Sequence, residues 1–447
     1  MQRLRGEVAE GLAAYRRDGE RQGRPTMGPD DQRVYGRHLI HERLERYAAE
    51  RLGQGLAPLT LDDEAAVGQA VADALFGLGR LQRLLDDPSI ENINVNGCDQ
   101  VWVTRSDGSK EPAGPVAASD AELVDTIRTA AARLGVSERR FDTGSPALNL
   151  QLPDGSRLFA VMSVTARPAV AIRRHRHPRV VLGELADLGM VDPAAESLLA
   201  AAVRARKNLI VCGGTGAGKT TLLRALLAEI APQERLVTIE DSFELGLDRH
   251  PDQHADVVAL EAREANVEGE GAVGAAALVR MSLRMNPDRV IVGEVRGDEV
   301  LPMLNALSQG CDGSMCTVHA DSSQGVFARL AMYAVQAPER LPLEATNLVV
   351  ANAVDFVVHI AQANARDRRH AGRRRWVASV REVVGAEGPL VVSNEVLAPA
   401  PGGRPGTVPS APLRHDTLSE LVAAGLDPSV LGGAQVRGFA GRGGWDR

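Results

Sequence analysis

Residues 208–227 read "NLIVCGGTGAGKTTLLRALL". An apolar run enters a glycine-rich loop, which ends on a lysine and two threonines before a leucine-rich segment at helical spacing. The spacing fits G-x-x-x-x-G-K-[ST], with Gly213, Gly218, Lys219 and Thr220 in the fixed places. Residues 208–212 read as a short buried strand and 221–227 as the start of a helix, so the loop lies where a phosphate cradle belongs. Side-chain-free positions let the backbone N–H groups of Gly213, Gly214, Thr215, Gly216, Ala217 and Gly218 turn onto phosphate oxygens, with Thr221 just beyond. The helix N-terminus adds partial positive charge. Lys219 is expected at the β- and γ-phosphates and the Thr220 hydroxyl on Mg²⁺. The loop points to bound ATP or GTP, and alone does not say what for.

Composition sets the outer bounds. A length of 447 residues suggests about three domains, and 44% apolar residues suffice for sizeable cores. A net charge of −7, with both signs mixed along the chain, gives no electrostatic reason to expect nucleic acid as the main partner. Cys98, Cys212, Cys311 and Cys316 form no C-x-x-C pair, which suits a reducing cytoplasm. No signal-peptide pattern is visible at the N-terminus. The apolar stretch "LVVANAVDFVVHIA" is broken by Asn352, Asp355 and His359 and is too short to span a bilayer. A cytoplasmic protein is expected, reaching a membrane only through partners.

Working outward from the loop, strands are expected at 208–212, 235–239, 289–293, 314–318 and 354–360, alternating with helical stretches. That alternation implies an α/β domain over 179–397 with a mostly parallel sheet and ligands at the strands' carboxyl ends. Before it, 56–178 reads as a smaller α+β domain. Ile90, Ile93 and Val95 alternate toward an Asn96-Gly97 turn, a hairpin signal. "SDAELVDTIRTAAARLG" opens on a Ser119–Glu122 capping box and closes on Gly135. "ALNLQL" and "SRLFAVMS" read as two further strands, and 173–183 as an interdomain linker. Residues 1–55 read as a helical, partly mobile arm broken near 17–31, and 398–447 as a loosely ordered tail rich in proline and glycine.

Two acidic stations follow the loop. "RLVTIEDSFEL" ends a strand on Glu240 and Asp241, and "DRVIVGEVRGDE" ends another on Glu294. At the carboxyl edge of a parallel sheet, such carboxylates can hold Mg²⁺ waters and orient an attacking water. Glu294 is expected to be the water-activating base, and Glu240, with Asp241, the metal-water shell; helix capping is the plain alternative. In "GCDGSMCTVHADS", His319 ends a further strand at that edge, where an imidazole can sense the γ-phosphate.

Taken in order, "GGTGAGKTT", "TIEDSFEL", "VIVGEVRG" and "GSMCTVHADS" resemble the type II/IV secretion ATPase superfamily, most of all its CpaF-like branch associated with tight-adherence pili. The resemblance covers roughly 60–397. It implies a RecA-like P-loop ATPase domain using ATP and Mg²⁺, a homo-oligomeric, hexameric ring, and integral-membrane platform partners that recruit it to the inner face of the membrane. It further implies arginines of the N-terminal domain closing over the phosphates; by position these are Arg157 and Arg173, with Arg263, Arg280 and Arg284 as further candidates. "AREAN" at 262–266 departs from the family's usual run, which puts Arg263 in doubt. Three functions are weighed: a motor for assembly or export of pilin-like subunits, a DNA-translocating motor of a conjugation-like system, and a nucleotide-binding regulator without turnover. The acidic balance disfavours the second and Glu294 the third. The arginine-rich run at 366–381 reads as a solvated hairpin turn.

Overall fold

The computed structural model describes residues 2–25, 27–134, 140–174, 179–263, 265, 269–363 and 374–432. The chain divides into two compact units, Met1–Arg176 and His177–Arg447.

The first unit begins with α1 (Gln2–Arg21), α2 (Pro29–Gly53) and α3 (Leu61–Phe76). Leu4, Val8, Leu39, Ile40, Leu44 and Val71 give these three helices a small core of their own. Thr60 caps α3 by accepting the Asp63 N–H at 3.1 Å. Next come α4 (Leu81–Asp86), β1 (Ile90–Asn96), β2 (Val101–Arg105), β3 (Lys110–Ala113) and α5 (Asp120–Leu134). The unit closes with β4 (Ala147–Gln151), β5 (Arg157–Val161) and β6 (Ala169–Arg173). Its antiparallel sheet has the order β3-β2-β1-β6-β5-β4. Gly97 takes φ +79° in the β1–β2 turn, a left-handed conformation that glycine adopts without strain. Ser119 Oγ accepts the Glu122 N–H at 3.2 Å and Glu122 reaches back to the Ala118 N–H at 2.8 Å, which starts α5. Gly135, its expected stop, lies outside the described residues, as does the middle of the expected linker.

The second unit runs α6 (Leu182–Asp187), α7 (Pro193–Arg204), β7 (Leu209–Gly213), α8 (Lys219–Leu227), β8 (Leu236–Glu240) and β9 (Val257–Glu261). It continues through α9 (Ala275–Ser282), β10 (Arg289–Val295), α10 (Val300–Ser308), β11 (Met315–Val318), α11 (Gly325–Gln336) and α12 (Leu343–Ala353). Then follow β12 (Phe356–Gln362), β13 (Arg375–Glu387), β14 (Leu390–Pro399), β15 (Thr407–Pro409) and α13 (His415–Ala423). The sheet order is β15-β14-β13-β12-β7-β11-β10-β8-β9. From β12 to β9 neighbouring strands are parallel, and β13 to β15 extend the sheet antiparallel. Side-chain alternation along β7 sorts the two faces. Leu209 and Val211 pack with residues of α7, α8 and α13, whereas Ile210 and Cys212 pack with residues of α9 to α12. The fold is thus α/β with both sheet faces covered, preceded by the α+β unit and its helical arm.

The segment from 398, expected to be loose, is folded through residue 432. Its prolines and glycines mark breaks between short elements, while Leu413, Leu418, Leu421, Leu426 and Leu431 are buried in the same core as α7. Thr407 N–H and Oγ1 both donate to Asp192 Oδ2, at 2.6 and 2.7 Å, which fastens β15 to the start of α7. The middle of the arginine-rich run, 364–373, lies outside the described residues; β12 and β13, which flank it, pair antiparallel.

Candidate active site

All five residues of β7 are buried, so the chain reaches the loop from the middle of the sheet. At Gly213 an added Cβ would lie 2.7 Å from the Ile360 carbonyl oxygen, so a close backbone approach demands glycine there. Gly216 and Gly218 take φ +73° and +97°, and Gly214, Thr215 and Ala217 complete the turn. Gly218 caps α8 without any side-chain hydrogen bond. The first-turn N–H groups, including those near Thr220 and Thr221, therefore have no capping side chain to compete with an anion. That is the donor set phosphate oxygens require.

Lys219 is buried at the start of α8. Its ammonium donates to the Gly213 and Gly214 carbonyls at 3.3 Å each and lies 3.6 Å from Glu294 Oε1. His319 Nδ1 is 3.2 Å from it. His319 Nε2 in turn meets Glu294 Oε1 at 2.6 Å. One neutral tautomer satisfies both contacts: Nδ1 accepts from Lys219 and Nε2–H donates to Glu294. Burial lowers the His319 pKa, Glu294 opposes that, and Lys219 adds to it; the net direction is downward. The loop lysine, the expected base and the expected sensor, from three different strand ends, thus meet in one contact group.

Arg296, which the sequence reading did not single out, completes the group. It pairs with the second oxygen of Glu294 and, at 2.8 Å, with Asp241 Oδ2. A signal was present: Glu294 lies on β10 and Arg296 stands two places on, just past the strand's end at Val295. Asp241, expected near the metal, is therefore tied to Arg296.

Glu240, expected in the metal-water shell, is held by the turn that follows β8. Its carboxylate is buried, and Oε2 accepts the Glu244 and Leu245 N–H groups at 2.7 and 2.8 Å. Thr238 Oγ1 donates to its other oxygen at 3.3 Å. Burial pushes its pKa up to about 7, against the pull of those backbone donors. Glu240 thus staples the turn after β8, and the carboxylate beside Thr220 is that of Glu244, with Oε2 3.5 Å from the hydroxyl. "TIEDSFEL" holds three carboxylates, and nothing in their spacing says which one the turn consumes.

In the first unit Arg157 and Arg173 are directly opposite each other on β5 and β6, hence on one face of that sheet. Of the weaker candidates, Arg263 donates to the Gly271 carbonyl at 2.7 Å and Arg280 pairs with Glu339 at 3.5 Å. Arg284 follows the end of α9.

Residues 75–387 match the family described as type II/IV secretion system protein. A Mycobacterium tuberculosis (strain H37Rv) protein provisionally named for conjugal transfer is 42% identical over 325 residues, 70% of this chain and 86% of that protein. The type IV secretion system protein VirB11 of Brucella suis biovar 1 is 34% identical over 345 residues, 71% of this chain and 92% of that protein. The crystal structure of the VirB11 ATPase from the Brucella suis type IV secretion system, in complex with sulphate, is 31% identical. It covers 70% of this chain and 96% of its own, with a TM-score of 0.34.

Proposed function

The chain belongs to the type II/IV secretion system protein family, and from that premise we propose that it is an ATP-hydrolysing motor powering assembly or export of pilin-like subunits through a membrane platform. One observation carries the ATPase reading: Lys219, Glu294 and His319 converge within hydrogen-bond or ion-pair distance at the carboxyl edge of the sheet. Sequence relatives named for secretion systems and conjugal transfer support the motor role.

In this reading the α8 N-terminus and Lys219 bind the phosphates. Thr220 and Glu244 are the residues that fit Mg²⁺, a hard cation taking oxygen donors. Mg²⁺, when bound, supplies positive charge that offsets the phosphates. Glu294 orients water and accepts its proton, held toward the loop by His319 on one oxygen and Arg296 on the other. Neutral His319 links that carboxylate to Lys219, so a change at the lysine is felt at the base. Arg157 and Arg173 are assigned to the developing phosphate charge, for which guanidinium is suited by its permanent charge and bidentate donors. We assign the chain to the CpaF-like branch, working as a hexameric ring at the cytoplasmic face of a membrane. No described helix is long and apolar enough to cross a bilayer. Membrane platform proteins are therefore its proposed anchors, and co-purification with them is the check.

Glu294→Gln should retain ATP binding and lose turnover by at least about a hundredfold, the low end for a positioned acid–base group. Lys219→Ala should lose turnover as well. Parent rates in either variant, measured by phosphate release, would place the chemistry elsewhere.

A second reading has an observation of its own. Relatives named for conjugal transfer favour a DNA-translocating motor of a conjugation-like system. Against it stands the net charge of −7. DNA that binds with steep salt dependence and stimulates ATPase would establish the second reading; ATPase indifferent to DNA would remove it.

A further inference from the structure

A cavity of about 510 Å³ opens in the first unit, within the range that small-molecule sites occupy. Arg33 and Arg37 of α2, Arg133 of α5 and Arg174 just after β6 all line it. Asp73, Asp86 and Asp154 share the same space. Seven charges this close would ordinarily close into short ion pairs. Here they do not.

Each carboxylate is bonded to a neutral partner. Gln69 donates to Asp73 at 2.6 Å, Gln82 to Asp86 at 2.9 Å, and Ser156 to Asp154 at 2.7 Å through its hydroxyl and 2.9 Å through its N–H. Two of the guanidiniums are oriented by backbone carbonyls: Arg133 by those of Leu75 and Gly77 at 2.9 and 3.0 Å, Arg174 by those of Asp87 and Ile90. Carbonyls fix a guanidinium in place and leave its charge uncancelled. The carboxylate contacts that exist are long, Arg33 to Asp30 at 3.8 Å and Arg174 to Asp154 at 4.0 Å. Among the described residues Arg37 has no carboxylate within ion-pair distance. The Arg133 pKa is lowered by desolvation first and by the charge of Arg33 next, as expected for like charges facing one space. Four cations outnumber three anions, and the buried Asp73 is itself shifted by burial toward its neutral form.

We propose that this cavity binds a small, soluble phosphate-bearing molecule, gripped by Arg33, Arg37, Arg133 and Arg174. Guanidinium offers phosphate paired donors as well as charge, and four of them round one cavity form a site for a multiply charged anion. This site lies wholly within the first unit and shares no residue with the phosphate loop.

The probe is pyrophosphate, titrated calorimetrically into the full chain carrying Lys219→Ala, so that the loop's own phosphate charge is gone. The comparison adds Arg33→Glu and Arg37→Glu, both exposed on α2, with thermal melting as the folding control. The first chain should give saturable one-to-one heat. The second should bind at least about tenfold more weakly, the loss of roughly one charge-assisted hydrogen bond. Absence of saturable heat, or equal affinity in both chains, would overturn the proposal. Phosphatidylglycerol vesicles that sediment the protein through the same two arginines, without pyrophosphate heat, would overturn the soluble ligand in favour of a lipid headgroup.

Discussion

Glu294 owes its position to three neighbours from three elements: Lys219 at the start of α8, His319 after β11 and Arg296 two places on. A lone carboxylate at this edge would have many rotamers, and the neighbours leave it few. At the same scale Glu240 is taken by the turn after β8 and Asp241 by Arg296, which leaves the Glu244 carboxylate beside the Thr220 hydroxyl. Glu244→Gln should raise the Mg²⁺ concentration for half-maximal turnover while Lys219 still binds nucleotide, because Thr220 loses its charged neighbour. A Mg²⁺ titration unchanged in that variant would return the metal to another carboxylate. The residue types of this site were legible in the sequence, because phosphate and water chemistry restrict them to glycine, lysine, hydroxyl, carboxylate and imidazole. Which carboxylate of "TIEDSFEL" faced Thr220 was not. That choice depends on a turn whose Gly246 takes φ +64° and whose N–H groups claim Glu240.

Elements explain how those residues stay in register. Four strand ends, those of β7, β8, β10 and β11, place the site, and each strand was readable from an apolar run bounded by turn residues. β6 and β9 were not: in β6 only Val170 and Ile172 are buried, and the β9 residues are only half-buried. The turn after β8 depends on a buried Glu240 whose pKa is raised, so the folded state holds that proton more tightly than the unfolded one. Stability from this group is therefore present below its ordinary value of 4.5 and is lost as pH rises toward about 7. The shift from 4.5 to about 7 corresponds to about 3 kcal/mol at most. Glu240→Gln should flatten the decline, read as urea midpoints at acidic and neutral pH; an unchanged pH dependence would deny Glu240 this role. At the C-terminal end, proline and glycine concealed an element that leucines hold. Leu421→Ala, in a fully buried position on α13, should cost about 2–5 kcal/mol by urea unfolding. A loose tail would show no loss.

For the whole molecule, the family assignment rests on the match over residues 75–387 and on relatives above 30% identity, and the described part of the α/β unit reaches residue 432. Composition had already pointed away from nucleic acid, yet it was silent on the cavity beneath the helical arm. Arg33 and Arg37 stand four apart on one face of α2, but Arg133 and Arg174 come from far along the chain, and no spacing rule joins them to that pair. The motor reading assigns the first unit a share in catalysis through Arg157 and Arg173, which sit side by side on β5 and β6. Such charges act most strongly on the transition state, so their loss should appear in turnover more than in binding. The most direct measurement is ATP turnover, nucleotide binding and solution mass on the same samples, for the full chain and for Arg157→Ala with Arg173→Ala. The full chain should assemble with ATP and hydrolyse it; the double variant should still bind nucleotide and turn over about 10³-fold more slowly, the low end for an arginine finger. A full chain that hydrolyses rapidly as a monomer, or a double variant as fast as its parent, would contradict the account.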